Sequence, residues 1–117
     1  MSQPRRNFSP AQLAYLTARA NLDVLTAELD ILCPDCADNA TEAEVNAWAE
    51  AMEVQAEALG MDKARDDLRA AKKALIAWVV EVVAPLATPK QAATIRGLAA
   101  NYRAQDRLVE LAMRLAA

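Results

Sequence analysis

The chain contains no histidine. That absence removes the commonest general base, every Ser/His/Asp arrangement and the Glu-x-x-His pairs of di-iron bundles. Glycine is almost as scarce: of two residues, Gly60 reads as a helix stop and Gly97 as an interior glycine or close helix contact, so neither opens a phosphate-cradling loop. The carboxylates fall on polar faces with no apolar pocket evident to raise a pKa, and no enzymatic function is expected. No apolar run approaches the ~20 residues of a membrane span, and the start "MSQPRRNFSP" carries a basic pair without the apolar segment of a signal peptide. The expected compartment is the cytoplasm, where disulfides are uncommon.

What the chain has in quantity is alanine, which supplies nearly half of a 55% hydrophobic fraction. Alanine-rich, glycine-poor composition favours closely packed helices. At 117 residues the expectation is a single domain over residues 9–117 after a mobile tail at 1–8. Three stretches, "SPAQ" at Ser9, "TEAE" at Thr41 and "TPKQ" at Thr88, place a hydroxyl at a helix cap with Gln or Glu three residues on, the signature of a capping box. Pro34, Gly60 and Pro85 mark the stops. Together they predict helices over about 10–32, 42–59, 62–84 and 89–116, joined by short connections as an up-and-down four-helix bundle. "WVVEVV" (Trp78 to Val83) suits a strand in isolation, but it has no partner strand and is kept helical.

Each helix carries an apolar stripe at spacings of three and four. Val45, Trp48, Met52, Ala56 and Leu59 mark the second; Ala64, Leu68, Ala71, Leu75, Trp78 and Val82 the third; Ile95, Leu98, Tyr102, Val109, Ala112 and Ala116 the fourth. Two helices carry more than one stripe. The first has Tyr15, Ala18, Leu22, Leu25, Leu29 and Leu32 on one face, and Leu13, Leu16, Ala20, Val24, Ala27 and Ile31 roughly opposite, with the choice of core face left open. The third adds Ile76, Val80 and Val83, roughly 120° from its core stripe. A lone bundle leaves such surplus in water, so Ile76, Val80, Val83, Leu13, Leu16, Val24 and Ile31 are the expected partner interface, and a homodimer through helices 3 and 1 is the expected state.

A net charge of −3 offers no overall footprint for nucleic acid or an anionic membrane. Helix 4 nevertheless aligns Arg96, Arg103, Arg107 and Arg114, which could grip phosphates. The glutamate line Glu50, Glu53 and Glu57 competes with that use, so nucleic-acid binding remains the alternative to a protein-interaction module.

The stretch "ILCPDCADN" holds both cysteines. A Cys-x-x-Cys turn is half of a tetrahedral zinc site, and Cys33 and Cys36 would need two further ligands. Over residues 31 to 38 this turn resembles the zinc hook of long coiled-coil repair proteins, where such a turn joins two helices. The resemblance implies one zinc shared between two chains through four cysteines. The likeness ends there, since the helices are short and no ATPase domain accompanies them, and membership of that family is not inferred. The other readings are inert thiols in a proline turn and a redox switch. The last is disfavoured because Cys33 follows a helix C-terminus, whose dipole opposes a thiolate.

Overall fold

The computed structural model describes residues 8–115 and is all-helical, with 85% of them in helix and no strand among them. Its elements are α1 (Pro10–Leu32), α2 (Glu42–Leu59), α3 (Met61–Trp78), a π-helical turn (Val79–Val83), a 3-10 turn (Ala84–Leu86), α4 (Pro89–Ala100), a second 3-10 turn (Tyr102–Ala104) and α5 (Gln105–Arg114). The expected tail at 1–8 lies outside the described residues except for Phe8, which is half-buried.

All three capping boxes form. Ser9 Oγ accepts from Gln12 N at 3.2 Å while Ser9 N donates to Gln12 Oε1 at 2.7 Å. At Thr41 the partner is Glu44, and at Thr88 it is Gln91. The stops are equally physical. Pro34 has no N–H to extend α1, whose last turn closes with Cys33 N donating to Leu29 O at 2.8 Å. Gly60 ends α2 at φ 78°, a left-handed conformation that costs glycine no steric penalty, and α3 begins at the next residue.

Two departures correct the sequence expectation. The third helix does not run unbroken to residue 84, because the N–H of Ala84 donates to Val79 O, five residues back. Pro85 comes next, with no N–H of its own and a ring that crowds the carbonyl four residues earlier, so the widened turn sits where proline disfavours a regular one. One extra residue in a turn rotates the rest of the helix by ~100°. The buried positions therefore run Leu75, Val79, Ala84, and Val79 is fully buried while Val82, expected in the core, is 48% exposed.

The fourth helix is not continuous either. It breaks at Asn101, whose side-chain oxygen accepts from Arg103 N at 3.1 Å and whose backbone is extended. Asparagine competes with helix by this local bond, and the chain restarts through Tyr102–Ala104 into α5. Tyr102, expected on the core stripe, is 82% exposed. Ala116, placed on the same stripe, lies outside the described residues.

The chain divides into two compact units: Met1–Thr17 with Arg69–Ala117, and Ala18–Leu68. The first, described over 8–17 and 69–115, has a core of Tyr15, Ala71, Leu75, Val79, Ala84, Ala92, Ile95, Leu108, Val109 and Ala112 around the buried amide of Gln12. Lys72 Nζ also reaches Asp106 at 2.7 Å, tying α3 to α5. The second unit buries far less: Leu29, Cys33, Met61 and Ala64, with nothing fully buried on α2. There Trp48 Nε1 donates to Pro34 O at 2.7 Å, fastening α2 to the turn after α1.

Candidate interaction surface

Of the two apolar faces of α1, the one carrying Tyr15, Ala18, Leu22, Leu25 and Leu29 is buried or half-buried; Leu32, at the helix end, is exposed. Every member of the opposite face is exposed: Leu13, Leu16, Ala20, Val24, Ala27 and Ile31. Val24 is 56% and Ile31 79% exposed, large fractions for β-branched apolar side chains in a helix. In the 18–68 unit Val45 and Val54 of α2 are exposed as well. Val54 escaped the sequence reading because it stands outside the stripe that marks α2.

Ile76, Val80 and Val83 are half-buried rather than open. Val83 lines an apolar cleft of about 350 Å³ in the first unit, with Ala87, Ile95, Leu111 and Leu115, and with Lys90 among its polar residues. A second open cleft, about 360 Å³, lies in the 18–68 unit between Leu29, Met52 and Ala56 and carries Glu53, Glu57, Asp62 and Arg65. Arg65 Nη1 stands 3.7 Å from Asp62 Oδ1, so part of its charge is already answered.

The four arginines are exposed, and none of their guanidinium groups forms an ion pair among the described residues. They do not share one helix. Arg96 belongs to α4, Arg103 to the 3-10 turn, and Arg107 and Arg114 to α5, so the straight line drawn on a continuous helix is broken at Asn101. The signal for that break was present in the sequence as an asparagine two residues before Arg103.

Cys33 is buried at the end of α1, Cys36 is half-buried in the turn, and both are free thiols. Among the described residues no group of three or more His, Cys, Asp or Glu side chains is placed to hold a metal ion. No described helix is long and apolar enough to cross a membrane. Comparison with protein-family models, with curated proteins and with solved structures finds no match to this chain.

Proposed function

We propose that the protein is a non-enzymatic, cytoplasmic helical interaction module that works as a homodimer, with the outer face of α1 as its docking surface. The observation that carries this reading is the exposure of every apolar side chain on that face while the opposite face supplies the core. Exposed apolar area organised along one helix is stabilised by covering it with another apolar surface. The half-buried Ile76, Val80 and Val83 leave less area to cover, so α1 carries more of the association than the third helix does. Sedimentation equilibrium tests the reading. The unmodified protein should show a concentration-dependent dimer, and Val24→Asp should give a monomer with unchanged helical circular dichroism, since residue 24 is open to water. An unmodified chain that stays monomeric at millimolar concentration would overturn it.

The exposure of four guanidinium groups that form no ion pair among the described residues favours one second reading, a small nucleic-acid-associated regulator. Four phosphate contacts would give a log–log salt slope of about −3.6 on duplex DNA, at about −0.9 per contact. That slope, lost in Arg103→Ala/Arg107→Ala, would replace the first reading; weak binding abolished by physiological salt is the expected result.

A further inference from the structure

The net charge of −3 averages two units of opposite sign. Among the described residues the first unit carries eight Lys and Arg against three Asp and Glu, whereas the 18–68 unit carries three against thirteen. A unit with so large an excess of cations attracts polyanions even where the chain as a whole does not. Polyanions differ in what else they offer a protein surface, and the turn between α4 and α5 discriminates among them.

That turn sets an aromatic ring among the cations. Tyr102 is 82% exposed. Arg103 beside it and Arg107 in the first turn of α5 are exposed as well, with no ion-pair partner among the described residues. The backbone is held on both sides of the ring: Asn101 Oδ1 accepts from Arg103 N at 3.1 Å, and Gln105 Nε2 donates to Ala99 O at 2.9 Å. Lys72 Nζ stands 6.0 Å from the ring centroid. A ring placed in this way can receive a flat partner at little cost in ordering. The acids of α5 do not cancel the cations. Asp106 is answered by Lys72 at 2.7 Å, and Glu110 stands between Arg107 and Arg114, so a positive excess remains around Tyr102.

An accessible ring beside guanidinium groups suits a single-stranded nucleic acid, whose unpaired bases stack on aromatic side chains while the adjoining phosphates meet the cations. A duplex keeps its bases stacked inside, and an acidic protein surface offers carboxylates without a flat π-face. We propose that the turn between α4 and α5 binds single-stranded nucleic acid, with a base stacked on Tyr102 and phosphates on Arg103 and Arg107. The site goes beyond both readings above. It uses no residue of the outer α1 face, and it shares Arg103 and Arg107 with the duplex reading without needing duplex binding.

Fluorescence anisotropy at low ionic strength tests the site with two probes, a labelled oligothymidylate of about twelve nucleotides and a dA·dT duplex of the same length. The single strand should bind more tightly than the duplex. Tyr102→Ala should weaken single-strand binding roughly tenfold while leaving the salt slope and the duplex affinity unchanged, and Tyr102→Phe, which keeps the ring, should stay within about twofold. Arg103→Ala/Arg107→Ala should instead flatten the single-strand salt slope by about 1.4, at about 0.7 per contact. Because residue 102 is open to water, the helical circular dichroism of Tyr102→Ala should match that of the unmodified protein. A Tyr102→Ala variant that binds the single strand as tightly as the unmodified protein overturns the site, and a duplex slope near −3.6 would then leave the duplex reading standing. Failure of both probes to bind overturns both nucleic-acid proposals and leaves the homodimer untouched; a change in the sedimentation of Arg103→Ala/Arg107→Ala alone would in that event assign the basic surface to the acidic unit of a second copy.

Discussion

The side-chain amide of Gln12 closes the Ser9 capping box with its oxygen and donates from its nitrogen to Ala112 O, each bond 2.7 Å long. Ala112 lies in the last turn of α5, where its carbonyl has only a 3.3 Å bond from Leu115 N besides this one, so one glutamine serves both a helix start and a helix end. Because this amide is buried, Gln12→Ala leaves the Ala112 carbonyl with only its 3.3 Å bond from Leu115 N as well as opening the cap. The expected cost is about 1–3 kcal/mol by urea unfolding. A loss below ~0.5 kcal/mol would mean that water replaces the amide. The cysteine turn argues differently. Cys33 and Cys36 give a tetrahedral zinc two thiolates and leave two positions open. The reduced protein is therefore expected to hold no stoichiometric zinc by metal analysis, whereas one zinc per two chains, lost in Cys33→Ser, would establish the shared site that the resemblance to the hook implies.

At the scale of the element, the π turn takes Val82 off the core face, while Val79, one regular turn from Leu75, stays inside. Val79→Asp places a carboxylate at a position with no exposure and should abolish cooperative unfolding and near-ultraviolet dichroism; Val82→Asp, at a half-open position, should change stability by no more than ~1 kcal/mol. A cost at Val82 as large as at Val79 would show that the helix continues regularly through residue 83, since a regular helix puts both on the face of Leu75. Helix starts were legible in the sequence because a capping box is a local device, complete within four residues. Gly60 was legible for the same reason, since its backbone conformation excludes most other residues. The π turn was not, because a period of 3.6 assumes an unbroken hydrogen-bond ladder and Pro85 acts on the turn before it. Asn101 was passed over because an apolar stripe can be drawn through a break that keeps its spacing. Gln12 was readable as a cap, but its bond to Ala112 spans one hundred residues and has no local trace. The exposed face of α1 was visible as one of two candidates, and only burial distinguished the face that is covered from the face that is not.

At the scale of the whole molecule, the cores differ. The 18–68 unit buries four apolar residues and leaves Val24, Ile31, Leu32, Val45 and Val54 exposed. A side chain of that class contributes ~1.5–3 kcal/mol when fully buried and much less at half exposure. Association through α1 would therefore add to folding stability, because a dimer that binds folded and not unfolded chains shifts the folding equilibrium by mass action. Above the dissociation constant, each tenfold rise in protein concentration favours the dimer by ~1.4 kcal/mol, or ~0.7 kcal/mol per chain. For a chain of this size that corresponds to a rise in melting temperature of about 3–5 °C per decade of concentration. Val24→Asp should remove the slope, because it blocks association at a position exposed in the single chain. Differential scanning calorimetry over two decades of concentration separates the outcomes. A sloped line for the unmodified protein and a flat one for the variant establish that stability is shared between copies; two flat lines with equal midpoints would mean that each chain is stable alone and that its open α1 face contributes nothing to folding.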